Sequence, residues 1–270
     1  MAHTDFGTVD VIDAESLSAI RVIGGCPEGS GVLCAGEHRL VFAASRGGGK
    51  VLLIDADRLD VVGEFEVGPK PNGLAWDPGR RRLLVADVGP ADQSVRLMGV
   101  PSSGLAARTQ LPGRPRWCVF DERGDRFLVN IRDPAALLCI AAESGEITQS
   151  WPISSAGPHG LAVDPKEWRA FVACDGGQLV VLDLESGTQL NSIQISGVPD
   201  AIWFNPLRKR VYVAVGMPGL IDVVDTERGV RVDSIPTEAG ATTSAFDVER
   251  QRLYVFLPVS CTAAVFEETP

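Results

Sequence analysis

The sequence predicts an all-β chain: a six-bladed β-propeller of four-stranded antiparallel blades, its ring closed by pairing of the N- and C-terminal segments. Three observations predict it. A short proline–glycine motif recurs at a fixed spacing, each period holds four short β-type runs, and no segment sustains a helical period. The motif is clearest at Gly157-Pro158-His159-Gly160-Leu161-Ala162-Val163-Asp164-Pro165. It returns as Pro71-Asn72-Gly73-Leu74, Pro115-Arg116-Trp117-Cys118 and Pro199-Asp200-Ala201-Ile202. Weaker copies stand at Pro27-Glu28-Gly29 and Ala241-Thr242-Thr243. The repeats begin near 27, 71, 115, 158, 199 and 241, steps of 41–44 residues. A period of this size marks a repeat architecture, here one domain over residues 1–270.

The period beginning at Pro158 shows the elements in order. Leu161–Val163 is strand one, and Asp164-Pro165-Lys166-Glu167 is a turn. Ala170–Cys174 is strand two, Asp175-Gly176-Gly177 a loop, and Leu179–Asp183 strand three. Glu185-Ser186-Gly187-Thr188 turns into strand four, Leu190–Ile195. β-Branched residues, short alternation and Gly/Asp/Pro punctuation favour strands throughout. Six first strands give six blades. The last period ends after its third strand, at Ala263–Glu267, and the chain opens with a hairpin of Val9–Asp13 and Ala19–Ile23. The expectation is therefore that residues 8–23 form a closing hairpin, with 18–23 serving as the missing fourth strand of the last blade. Such closure removes an exposed sheet edge.

Composition narrows the function classes. Asp and Glu number 35 against 25 Lys and Arg, a net charge of -10. That argues against a nucleic-acid partner, which needs a basic surface. No apolar run approaches 18 residues, so no membrane span is expected. Met1-Ala2-His3-Thr4-Asp5 has neither the basic nor the apolar region of a leader, so a cytoplasmic location is expected. The six cysteines make no C-x-x-C pair and fall mostly in apolar strand patterns, as reduced core residues. No organic cofactor is implied. A monomer or weak homodimer is expected.

The second and third strands resemble those of the YVTN-type repeat propellers. The matching residues are Leu84-Val85-Ala86-Asp87, Phe171-Val172-Ala173-Cys174-Asp175 and Tyr212-Val213-Ala214-Val215, with the final Asn of the motif replaced. The resemblance spans nearly the whole chain and implies fold rather than chemistry. Pro71-Asn72-Gly73-Leu74 and Pro199-Asp200-Ala201 are similar to the Asn-Gly and Pro-Asp motifs of the gluconolactonase/senescence-marker propellers. That second resemblance implies a lactonase-like site over the channel.

In a propeller, the residue after each junction proline faces the channel mouth. Those residues are Glu28, Asn72, Arg116, His159, Asp200 and Thr242, with Arg46, Asp87, Asp92, Asn130, Arg132, Asp133 and Asp175 on the surrounding loops. Repetition for packing alone would make the six alike. Three readings compete. In one, Glu28, Asn72, His159 and Asp200 hold a divalent cation (calcium, magnesium or manganese), as the second resemblance implies. In another, His159 moves protons, oriented by Asp200 or Glu28, while Arg116 or Arg132 forks onto a substrate carboxylate. Asn72, Asn130, Trp117 and Trp203 would complete the substrate wall. In the third, these groups only bond neighbouring loops and water. Trp117 and Trp203 are oversized for their columns, and packing between blades is the simpler use. Cys174, near His159 in this scheme, makes a Cys–His nucleophile pair conceivable. The leading expectation is an enzyme that hydrolyses, eliminates or isomerises a small anionic or lactone-type substrate by acid–base chemistry. The rival is a non-catalytic scaffold that binds a protein or peptide on the same face.

Overall fold

The computed structural model describes residues 1–101 and 104–267. Its secondary structure is almost wholly β: 26 strands and one short 3-10 turn at Gly36–His38. The strands form seven antiparallel sheets, each with its strands in chain order. The first sheet is Ala2–His3, Thr8–Ile12 and Ala19–Ile23. The second to sixth have four strands each and begin at Gly29–Ala35, Pro71–Asp77, Pro115–Asp121, Pro158–Asp164 and Pro199–Asn205. The seventh is Ser244–Asp247, Arg252–Leu257 and Thr262–Glu267. Up-and-down sheets of this size, repeated at the motif's spacing, are propeller blades. Among the described residues no helix is long and apolar enough to cross a membrane.

Two expectations are corrected. There are seven blades rather than six, and the first and last have three strands. The residues 8–23 hairpin does not complete the last blade. Ala19–Ile23 pairs with Thr8–Ile12, which pairs with Ala2–His3, while among the described residues Thr262–Glu267 pairs only with Arg252–Leu257. The physical reason lies in one turn. Asp13 Oδ1 accepts the amides of Glu15 and Ser16. Asp183 does the same for Glu185 and Ser186, Asp55 for Asp57 and Arg58, and Asp225 for Glu227 and Arg228. Where the same turn follows a register shift at the two residues before the Asp (Val11/Ile12, Leu53/Ile54, Val181/Leu182 and Val223/Val224), it joins third to fourth strands. Thr8–Ile12 and Ala19–Ile23 are therefore strands three and four of a blade of their own.

The chain divides into two compact units: residues 1–129 with 138–149, and residues 130–137 with 150–270. In the first, Phe42, Trp76, Leu83 and Met98 sit in one buried cluster, and Val9, Ile23, Cys26 and Leu52 in another. In the second, Phe171, Ile193, Ile202 and Val213 pack together. Second and third strands are the most buried, because both of their faces are covered. Fourth strands are largely exposed, as at Gln189–Gln194.

First strands of successive blades approach closely within each unit. A Cβ at Gly160 would run into the Asp200 carbonyl oxygen, as one at Gly73 would into that of Arg116. Glycine in the motif is therefore set by backbone proximity. This proximity brings the residue after one junction proline beside its counterpart in the next blade.

Candidate functional site

The second unit gathers four charged side chains at the junctions of the fourth, fifth and sixth sheets. His159 opens the first strand of the fifth sheet, Asp200 that of the sixth, and Asp175 follows the second strand of the fifth. His159 Nδ1 lies 2.9 Å from Asp175 Oδ1, and Nε2 lies 3.3 Å from Asp200 Oδ1. The other Asp175 oxygen, Oδ2, pairs with the Arg132 guanidinium at 2.9 Å. The imidazole is mostly covered, its side chain 13% exposed, whereas Asp200 is 38% and Arg132 43% exposed. An open pocket of about 260 Å³ adjoins this row, lined by Arg132, Asp133, Ala135, Ala156, Gly157 and Asp175.

Asn130 fixes the backbone beneath. In the second strands its position is otherwise held by Ala44, Ala86, Ala173, Ala214 and Phe256. Asn130 is fully buried, and its Nδ2 donates to the carbonyls of His159 and Gly160, each at 3.0 Å. It acts on the His159 main chain; the expected place in the substrate wall is not where its amide is spent. Gly157, with φ of +67°, lets the loop turn against Asp175, where a Cβ would collide with that side chain.

A neutral imidazole donates through one nitrogen only, so between two carboxylates it accepts nothing unless one partner brings the proton. The row can thus carry a proton along Asp175, His159 and Asp200. Arg132 pairs with Asp175 Oδ2 while Oδ1 faces Nδ1, the arrangement that orients a catalytic imidazole. Asp200 is the more exposed of the two carboxylates that face the ring.

The remaining expected residues are engaged elsewhere. In the first unit, Glu28 pairs with Lys70 at 2.9 Å, and that hydrogen bond holds its carboxyl below the usual range. Asn72 Oδ1 accepts from the Arg46 guanidinium. Arg116 and Trp117 also belong to that unit; the Arg116 carbonyl accepts from Cys118 Sγ at 3.6 Å. Trp203, in the second unit, donates from Nε1 to Ser244 Oγ at 3.2 Å, a link to the next blade. Each expected cation ligand faces a partner within its own unit: Glu28 faces Lys70, Asn72 faces Arg46, and His159 and Asp200 face each other. Among the described residues no group of three His, Cys, Asp or Glu side chains is placed to hold a metal ion. Cys174 is no nucleophile: its Sγ donates to the Val172 carbonyl, and burial pushes its thiol up to about 12.

Sequence reasoning placed His159 and Asp200 together and gave Arg132 a substrate carboxylate to hold, but it named Asp175 only as a loop residue. The missing signal is the register of the second-to-third-strand loop. Cys174 pairs with both Pro158 and Gln178, which sets Asp175 beside the residue after the proline.

No protein-family model matches the chain, and no curated protein sequence does. Solved structures do match. A functionally unknown protein from Desulfotomaculum acetoxidans DSM 771 aligns with a TM-score of 0.85 at 14% identity, over 98% of this chain and 90% of that one. Dihydro-heme d1 dehydrogenase NirN, in complex with DHE, aligns at 0.75 and 18% identity, over 99% of this chain and 63% of that one. Kuenenia stuttgartiensis hydrazine synthase aligns at 0.65 and 15%, over 93% and 98%. At such identities the likeness is one of fold, and with the seven sheets it assigns the chain to the β-propellers.

Proposed function

We propose that the chain is a small-molecule enzyme whose proton-transfer group is His159. The observation that carries this reading is the row Arg132–Asp175–His159–Asp200, of which Arg132 and Asp175 line an open pocket. Asp175 orients the ring through Nδ1. Nε2 takes a proton from, or gives one to, a substrate that displaces its contact with Asp200. Arg132 spends one nitrogen on Asp175 and keeps further N–H groups for a substrate carboxylate or lactone oxygen. Hydrolysis, elimination and isomerisation of a small anionic or lactone-type molecule all need such a group. The likeness of Pro199-Asp200-Ala201 to the lactonase-like motif supports the same class, and that of the second strands to YVTN-type repeats supports the scaffold. No step is routed through a metal ion.

The test is a thermal-shift screen of lactones and small carboxylates, followed by turnover assays on the compounds that stabilise the protein. The expected result is a binder that is turned over, with kcat lowered about 10²–10⁴-fold in folded His159→Gln. Undiminished turnover of that compound by folded His159→Gln and Asp200→Asn variants would sink the proposal.

A further inference from the structure

The junctions of the first unit are rich in cations, although the chain as a whole has a net charge of -10. The residues flanking their prolines are Cys26 and Glu28, Lys70 and Asn72, and Arg114 and Arg116. These are three cations and a single carboxylate. Arg46, on the second-to-third-strand loop of the second sheet, adds a fourth cation: its guanidinium donates to Asn72 Oδ1. The carboxylates nearby on the third sheet have cations of their own. Asp87 accepts the Lys70 amide and faces Arg96, and Asp92 pairs with Arg96 and Arg108.

The repeat shows how one of these cations is answered. Lys70 precedes the junction proline of the third sheet, and its Nζ reaches Glu28 Oε2, in the preceding blade, at 2.9 Å. Glu28 is held below the usual carboxylate range by that hydrogen bond and, to a lesser degree, by the charge of Arg46. One repeat further on, Arg114 takes the place of Lys70 and Asn72 that of Glu28. The position that gives Lys70 a carboxylate thus gives Arg114 a neutral amide. Arg114 Nε is buried, and among the described residues it has no hydrogen-bond partner. Such a group carries a desolvation cost that an acceptor brought from outside would remove.

Two more groups belong to the same place. A Cβ at Gly73 would run into the Arg116 carbonyl oxygen, so Arg116 adjoins the Asn72-Gly73 backbone. With Asn72 Oδ1 engaged by Arg46, the rest of that amide is the Nδ2 donor. Arg46, Asn72, Arg114 and Arg116 are all half-buried. The cluster is rich in donors and positive charge, the converse of a cation site.

We propose that Arg46, Asn72, Arg114 and Arg116 bind a small oxyanion carrying two or more negative charges, a phosphoryl group or a dicarboxylate. Guanidinium groups meet such oxygens with paired N–H donors, and the Asn72 amide adds a neutral one. The anion supplies to Arg114 the charge that Glu28 supplies to Lys70. The site shares no residue with the His159 row.

The test is calorimetric titration of the full chain with inorganic phosphate, with succinate, and with acetate as the singly charged control, at constant ionic strength. The expected result is binding of phosphate, succinate or both, tighter than that of acetate; the tighter of the two tells a phosphoryl ligand from a dicarboxylate. Folded Asn72→Asp, which gives Arg114 and Arg46 a built-in carboxylate, and folded Arg114→Gln are each expected to bind at least about tenfold more weakly, the worth of one charge-assisted hydrogen bond. Arg21→Gln, which removes an equal charge from the exposed pair with Asp60, should bind as the wild type does. Absence of binding by both dianions, acetate bound as tightly, undiminished binding in either folded junction variant, or equal weakening in Arg21→Gln overturns the proposal.

Discussion

His159 depends on two residues that touch no pocket. Gly160 leaves room for the Asp200 carbonyl, and Asn130 holds the main chain of both His159 and Gly160. Gly160→Ala forces the Asp200 backbone away and is expected to cost about 1–3 kcal/mol of stability by urea titration. It should also disturb the His159 ring resonances in NMR spectra. Asn130→Ala leaves two carbonyls without their donor and should cost about 1–3 kcal/mol. An unchanged urea midpoint in either variant would contradict these contacts. At this scale the sequence was readable where a residue departs from its column. His159 and Asp200 were read from the junction residues, whereas Asn130 was read as a loop residue of the substrate wall although it stands within a second strand. Asn130's role was not readable, because a buried amide that bonds carbonyls and one that bonds substrate look alike in sequence.

The blade's two recurrent turns share one construction in several blades. A side-chain oxygen caps two amides, and a residue with positive φ follows. Asp164 caps Lys166 and Glu167 before Trp168 at φ +52°, and Asn205 caps Leu207 and Arg208 before Lys209 at +51°. Between third and fourth strands Gly187 takes the left-handed position, at +74°, where a Cβ would enter the Trp151 indole. Gly187→Ala is therefore expected to lose about 1–3 kcal/mol. Asp183→Ala, which removes an exposed cap, should lose about 0.5–1.5 kcal/mol. Chemical denaturation of the two variants should rank them in that order; the reverse order would place the strain elsewhere. The blade count turned on such a turn. Junction prolines mark first strands, and the first blade has none, so counting them gives six. The turn Asp13-Ala14-Glu15-Ser16 matches Asp183-Leu184-Glu185-Ser186 and carried the seventh blade in plain sight.

Across the whole molecule, acid stability has an identifiable contributor in the first unit. Burial opposes ionisation of Asp92, but hydrogen bonds from Ser94, Arg96 and Arg108 outweigh it and hold the carboxyl down to about 2. Arg96 and Arg108 lie 2.6 and 2.7 Å from its two oxygens. A folded-state value below the unfolded 3.8 means stability present above about pH 4 and lost as pH falls toward 2. Discounted for solvent, the contribution is about 1–2 kcal/mol. Asp92→Asn should lower the melting temperature at pH 7 and flatten its fall between pH 4 and 2. Parallel melting curves for variant and wild type across that window would refute the assignment.

Two of the six cysteines, Cys34 and Cys261, are exposed, and the other four are buried and unpaired. Cys261 immediately precedes Thr262, where the third strand of the seventh sheet begins. With Cys34 replaced by serine, one accessible thiol remains, and a maleimide dye placed on it would sit beside that strand. The protein thus carries its own attachment point for an optical probe, whose emission would report the unfolding of the seventh sheet separately from that of the rest of the chain.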